Sequence, residues 1–212
     1  MMLPRIYPIV DSAEWMQRLL PLGVRLIQLR IKERPPTAIR QEIRDSRSLC
    51  AHWSTQLIVN DYWHLALEEG CDFVHLGQGD LDSADVAALR KAGMQIGIST
   101  HNHAELERAL AYAPDYVALG PIYPTLLKVM PWSPQGLQRI SEWKHRIGAI
   151  PLVAIGGLTP ERLPGVFSHG ADVAAVVTDI VKSPHPEARM RQWLAVAERG
   201  DTLTSALAPA NL

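Results

Sequence analysis

Apolar residues in this chain come in short, nearly unbroken runs. IYPIV (6–10), VRLIQL (24–29), QLIV (56–59), FVHL (73–76), QIGI (95–98), YVAL (116–119), PLVAI (151–155) and VAAVV (173–177) are each four to six residues long. Few of them alternate polar with apolar positions. A strand covered on one face alternates, whereas a strand covered on both faces reads as a continuous apolar run, so the pattern predicts a parallel sheet. Between the runs the spacing turns helical. SAEWMQRLL opens at Ser12, an N-cap residue type, and puts Trp15, Met16, Leu19 and Leu20 on one face. Further helices are predicted from Thr37 to Trp53, over 62–70 with a stop at Gly70, from Ser83 to Gly93, from His103 to a halt before Pro114, and over 133–148, 159–170 and 186–200. Pro164 is expected to shorten the helix it falls in.

Strand and helix candidates thus alternate eight times, with a repeat of about 24 residues, a normal length for a β–α unit with short loops. The predicted class is α/β and the predicted architecture a compact (β/α)8 TIM barrel. Such barrels span roughly 200 to 400 residues, and the competing open, doubly wound sheet usually has fewer strands. One barrel domain is expected over residues 1–200, with the small, polar stretch DTLTSALAPANL (201–212) as a frayed tail.

Composition narrows the chemistry. The 212 residues carry 21 Lys and Arg against 22 Asp and Glu, a formal net charge of −1, with 47% hydrophobic and 20% charged residues. That balance excludes a disordered, collagen-like or low-complexity chain and argues against nucleic-acid binding through broad electrostatics. Any anion must be met by a few placed cations. Cys50 and Cys71 show no metal-ligand or CxxC spacing and read as buried thiols in a reducing compartment. The first residues lack a signal-peptide pattern, and no apolar stretch approaches the ~18 residues of a membrane span. A soluble cytoplasmic protein without membrane or nucleic-acid partners is expected, and barrels of this size often form homo-oligomers.

Candidate chemistry collects where the strands end, the face on which barrels build their sites. The second strand leads through Gln28 to Arg30 and Lys32, and the third ends in Asn60-Asp61. The fourth leads through Gln78 to Asp80, and the fifth ends at Ser99. The sixth opens a loop with Thr125 and Lys128, the seventh ends in Gly156-Gly157, and the eighth in Thr178. Two carboxylates with nearby amides suit Mg2+, which takes one or two carboxylates and fills its shell with water and phosphate. Cations around such an ion suit a departing diphosphate, on which negative charge grows. A glycine pair after strand seven fits the usual barrel phosphate site. Taken singly, each Asp also fits a helix cap, and Gly-Gly a tight turn. His101-Asn102-His103 fits a helix start better than a metal site, His75 fits either a cavity or a core position, and Trp132 a loop over the pocket.

In order along the chain, QLRIK (28–32), VNDYW (59–63), VHLGQGDL (74–81), IGISTHN (96–102), LGPIYPT (119–125) with Lys128, VAIGGL (153–158) and AVVTDI (175–180) resemble the thiamine phosphate synthase family from about residue 5 to 195. VMPWSPQGL (129–137) is similar to the enterobacterial type. The resemblance implies an enzyme that couples an aminopyrimidine methyl diphosphate to a thiazole phosphate, releasing pyrophosphate with Mg2+. It implies a catalytic set of Arg30, Lys32, Ser99 and Lys128. Carried over by motif, Gln28, Leu29, Arg30, Ile31, Lys32, Asn60, Ser99 and Lys128 hold the pyrimidine diphosphate. Asp61 and Asp80 hold the metal, while Thr125, Leu126, Leu127, Gly157, Val177 and Thr178 line the thiazole phosphate site. The run PTLLK departs from the family's PTxTK, with Leu127 in place of a hydroxyl residue. A donor lost to a charged phosphate costs roughly 1.5–3 kcal/mol, about ten- to a hundredfold in binding. Leu127→Thr is therefore expected to lower KM for the thiazole substrate, and an unchanged or higher KM contradicts this. A thiazole tautomerase-like relative and a non-catalytic thiamine-phosphate-binding relative are the rival functions on the same scaffold.

Overall fold

A computed structural model describes residues 3–125 and 133–206. Eight strands, β1 (Ile6–Val10), β2 (Leu26–Leu29), β3 (Gln56–Asn60), β4 (Phe73–Leu76), β5 (Gln95–Thr100), β6 (Tyr116–Leu119), β7 (Leu152–Ile155) and β8 (Val173–Val176), pair in chain order into a closed barrel. Every pairing is parallel, and β1 closes on β8 with Tyr7 opposite Ala175. The helices packed around it are α1 (Ala13–Leu19), α2 (Pro36–His52), α3 (Trp63–Glu68), α4 (Val86–Lys91), α5 (His103–Leu110), α6 (Gly136–Ile147), α7 (Leu163–Ser168) and α9 (Pro186–Ala206), and a four-residue helix α8 (Thr178–Val181) follows β8.

The unbroken apolar runs arise because each strand serves two cores. Tyr7, Ile9, Leu26, Ile58, Phe73, Tyr116, Ala118, Val153, Val173 and Ala175 fill the barrel interior. Their neighbours Ile6, Ile27, Leu57, Val59, Val74, Val117, Leu119, Ala174 and Val176 pack outward against the helices. Trp143 of α6 and Trp193 of α9 are fully buried in that outer layer, whereas Trp53 is 38% exposed. Cys50 and Cys71 are buried free thiols. Burial is the main cause that pushes them up, to about 12 and about 11.

Local signals resolve into particular bonds. Gly70 and Gly93 follow α3 and α4 with positive φ, the left-handed stop that glycine allows. Two expectations change and one holds. The helix read from Ser83 starts at Val86, because Asp85 caps it by accepting from Ala88 N–H at 2.9 Å, while Asp80–Asp82 forms a 3₁₀ turn. The helix at Pro164 is short, as expected: α7 has six residues, with Pro164 in its first turn, where the missing N–H breaks no helical bond. The last helix runs to Ala206, six residues into the stretch expected to be frayed. Trp132 lies outside the described residues. Among the described residues no helix is long and apolar enough to cross a membrane.

Candidate active site

The inward parity of each strand continues into the residue beyond it. On β2, Leu26 and Gln28 point into the barrel, so Arg30 and Lys32 line the cavity at its mouth. Leu29 and Ile31 carry the opposite parity. Their side chains are buried between sheet and helices and do not line the cavity, which leaves only their main chain to meet a ligand there. Neither Arg30 nor Lys32 forms an ion pair among the described residues, although Arg30 lies close enough to Asp61 to favour its charged form.

Asn60 and Asp61 follow on β3. Asn60 is buried and lines the cavity. Asp61 leaves the strand with φ +61°, held by its N–H donating to the His75 carbonyl at 3.0 Å. A non-glycine residue in that region is uncommon, and Asp tolerates it better than most. The turn turns the Asp61 carboxyl into the cavity wall and towards Asp80. Asp80 does not itself line the cavity and is fixed from behind, its Oδ2 accepting from Gly77 N–H at 2.7 Å. Burial first, then the Asp80 carboxylate, pushes the Asp61 carboxyl up to about 6, against the opposing pull of Arg30 and Asn60. Two neighbouring carboxylates repel unless a proton or cation offsets their charge, so the pair fits a divalent ion. Among the described residues there is no cluster of three or more His, Cys, Asp or Glu able to hold a metal. An ion held here would complete its shell with water and ligand oxygens. Gln78, expected to assist, donates to the Ser99 carbonyl at 2.8 Å and does not line the cavity.

The cavity floor is polar but closed. Gln28 Nε2 donates to Tyr7 Oη at 2.7 Å, Tyr7 Oη meets Tyr116 Oη at 3.1 Å, Tyr116 Oη meets His75 Nδ1 at 2.6 Å, and His75 Nε2 meets Ser99 Oγ at 2.7 Å. His75 thus faces the cavity. Burial chiefly, and Arg30 secondarily, pushes its imidazole down to about 4, so it is neutral at physiological pH. Across the mouth, Thr125, Gly156, Gly157, Val177 and Thr178 line the β6–β8 side. Gly157 has φ +64°, and a Cβ there would lie 2.5 Å from the Pro124 carbonyl oxygen, so the chain approaches as only glycine permits. Leu126, Leu127 and Lys128 lie outside the described residues.

Sequence patterns alone did not single out several contributors. Arg162 and Lys182 add two cations to the β7–β8 side of the cavity. Arg162 lies over the Tyr123 ring and donates to the Gly157 carbonyl. Asp179 of α8 also lines the cavity, held by Arg189 Nε at 2.8 Å and Trp193 Nε1 at 2.7 Å. The run TDIVKS that carries two of these residues is too short to read as a helix. His101-Asn102-His103 is a helix start as expected, Asn102 Oδ1 accepting from Glu105 N–H at 2.9 Å.

Gln28, Arg30, Lys32, Asn60, Asp61, Ser99, Thr125, Gly157, Val177 and Thr178 therefore border one cavity of about 1020 Å3. It has a cation- and carboxylate-bearing wall on β2–β5 and a glycine-rich wall on β6–β8. That volume reaches the upper end of ordinary ligand pockets, roughly 300–1,000 Å3, and admits two small molecules side by side. A family model described as thiamine monophosphate synthase matches residues 6–180. The chain belongs to that family. The thiamine-phosphate synthase of Rhizobium etli is 62% identical over 195 residues, 92% of this chain and 96% of that relative. That of Klebsiella pneumoniae is 42% identical over 196 residues, 92% and 93% of the two chains. The solved thiamine phosphate pyrophosphorylase of Pyrococcus furiosus shares the fold at a TM-score of 0.81 and 23% identity, over 92% of this chain and 96% of that one. The thiamine monophosphate synthase family places the chain among enzymes, as a transferase of thiamine biosynthesis on a (β/α)8 barrel.

Proposed function

We propose that the enzyme joins 4-amino-2-methyl-5-(diphosphooxymethyl)pyrimidine to 4-methyl-5-(2-phosphooxyethyl)thiazole, with Mg2+, giving thiamine monophosphate and pyrophosphate. The observation that carries this reading is the placing of the Asp61 carboxyl near the Asp80 carboxylate and Arg30, across one cavity from the Gly156-Gly157 turn. The C–O bond of the pyrimidine substrate breaks first, its electron pair leaving on the diphosphate. The thiazole nitrogen then supplies the pair that forms the new C–N bond. When bound, Mg2+ supplies Lewis-acid stabilisation of the charge on the departing diphosphate.

Asp61 and Asp80 would hold the ion. Arg30 and Lys32, with Lys128, offset the charge that grows on the leaving oxygens, and Asn60 and Ser99 donate hydrogen bonds to it. Gln28 orients the pyrimidine side from the cavity floor. Thr125, Gly157, Val177 and Thr178, with Leu126 and Leu127, take the thiazole phosphate, and Arg162 and Lys182 add charge there. A glycine turn after β7 and a short extra helix after β8 form the usual barrel phosphate site, which supports this assignment. No general base is required, because no proton is removed. The cations and carboxylates of the β2–β5 wall have no use in a tautomerisation, which favours coupling over that rival.

Pyrophosphate release from the purified enzyme tests the reading. Release is expected only with both substrates and Mg2+, and its loss is expected in Asp61→Ala plus Asp80→Ala with the fold intact. No release from the unsubstituted enzyme overturns the function, and undiminished release from the double variant overturns the metal assignment.

A further inference from the structure

Five side chains joined end to end run through the barrel interior at the floor of the cavity, four of them lining it and the fifth, Tyr116, lying behind. All are drawn from inward positions of five different strands, and Gln28, Tyr7, Tyr116 and His75 are buried, at 2%, 1%, 0% and 8% exposed. In such a place each hydroxyl hydrogen needs an acceptor, and the run has a defined starting point. The Gln28 amide can only donate through Nε2, and Tyr7 Oη accepts it at 2.7 Å. The Tyr7 hydrogen must then go to its other partner, Tyr116 Oη, at 3.1 Å. The Tyr116 hydrogen in turn has His75 Nδ1 as its acceptor, at 2.6 Å. A ring that accepts at Nδ1 carries its hydrogen on Nε2, which faces Ser99 Oγ at 2.7 Å. While Gln28 presents Nε2 to Tyr7, reversing any later link, or protonating both ring nitrogens, leaves one buried tyrosine hydrogen with nothing to bond.

We infer that His75 is a positioning residue, locked in its Nε2–H tautomer by the one-way chain from Gln28 through Tyr7 and Tyr116, and that it makes the Ser99 hydroxyl a dedicated donor into the cavity. Ser99 Oγ receives the imidazole hydrogen, so its own hydrogen is left for a ligand. The ligand atom opposite Ser99 is therefore a hydrogen-bond acceptor. Under the coupling reading it is an oxygen of the departing diphosphate. Gly97 makes the arrangement possible. A Cβ at that position would lie 2.0 Å from Tyr116 Cζ, so only glycine lets the tyrosine ring lie across the floor. The Tyr116 and His75 rings lie nearly parallel, 12° apart with centroids at 5.5 Å, which fixes the imidazole plane. Tyr116 itself does not line the cavity, so its influence on a ligand must pass through His75.

The test has a spectroscopic and a kinetic arm. With 15N in the histidine rings, and His75→Gln to assign the signal, the ligand-free protein should show a bare Nδ1 and a protonated Nε2 at residue 75. Tyr116→Phe should turn that signal into a mixture of tautomers. An Nδ1–H ring or a mixture in the unsubstituted protein overturns the inference, even if Tyr116→Phe fails to fold. In the kinetic arm, which rests on the coupling reading, Tyr116→Phe should lower kcat for pyrophosphate release about tenfold, the effect of weakening one hydrogen bond to a charged group. KM for the thiazole phosphate should stay unchanged. In a Ser99→Ala background the same substitution should change kcat little. An equal loss in both backgrounds means that Tyr116 acts by general packing and overturns the positioning role. A wrong tautomer leaves the proposed reaction standing, whereas a right tautomer without pyrophosphate release removes the reaction and leaves the hydrogen-bond chain.

Discussion

Asp61 concentrates the residue-scale chemistry. Its carboxyl titrates at about 6 in the folded chain against an ordinary 3.8. Between those values the folded state keeps a proton that the unfolded chain has lost, so this group's contribution to stability falls as pH rises from about 4 to 6. Asp61→Asn removes the loss. In metal-free buffer the variant should melt a few degrees above the unsubstituted protein at pH 7.5, at roughly 2–4 °C per kcal/mol for a chain of this size. The difference should vanish near pH 4. A variant that melts lower at pH 7.5 contradicts the repulsion between Asp61 and Asp80. Much of this wall was legible in the sequence, because strand parity and motif order both point to Gln28, Arg30, Lys32, Asn60 and Asp61. Leu29 and Ile31 differ from the others in side-chain direction: a motif match is contiguous, but a strand turns alternate side chains away from the cavity. The partnership of Tyr7, Tyr116 and His75 was not legible, since a contact across a barrel leaves no local trace in the sequence.

At the scale of elements, β5 and β6 show how one missing side chain shapes the site. Gly97 pairs opposite Tyr116, and the tyrosine ring occupies the space a Cβ would need. Gly97→Ala should cost about 1–3 kcal/mol or more through overpacking, read as a lowered denaturant midpoint, and should reduce turnover with it. A variant with both values unchanged contradicts the placement of the ring. The strand ends were predicted to within two residues, because continuous apolar runs bounded by polar residues leave little choice of ends. Helix starts were less legible, since Ser83 and Asp85 both suit a cap and only the actual bond, Asp85 to Ala88 N–H, decides. Helix α8 escaped because four residues carry no helical period.

The whole molecule is a ring of repeats closed by β1 on β8, and α9 helps to hold that closure. Trp193 is fully buried and ties α9 to α8 through Asp179, while Arg189 grips the same carboxylate. Trp193→Ala should destabilise the fold by about 3–5 kcal/mol and lower the melting midpoint by roughly 10 °C or more. A shift within a degree or two contradicts that role for α9. The barrel could be read from the alternation of runs and helices, but the width of the cavity comes only from closure, and Asp61 approaches Asp80 because β3 pairs directly with β4. The proposal that this wall gathers two carboxylates around a metal ion, with cations beside a departing diphosphate, is best examined by diffraction from crystals grown with Mn2+ and pyrophosphate. The anomalous peak of Mn2+ should lie between the Asp61 and Asp80 carboxylates, with the diphosphate reaching Arg30, Lys32 and Ser99. A metal peak remote from that pair, or a diphosphate lodged only beside Gly157 and Thr178, would contradict it.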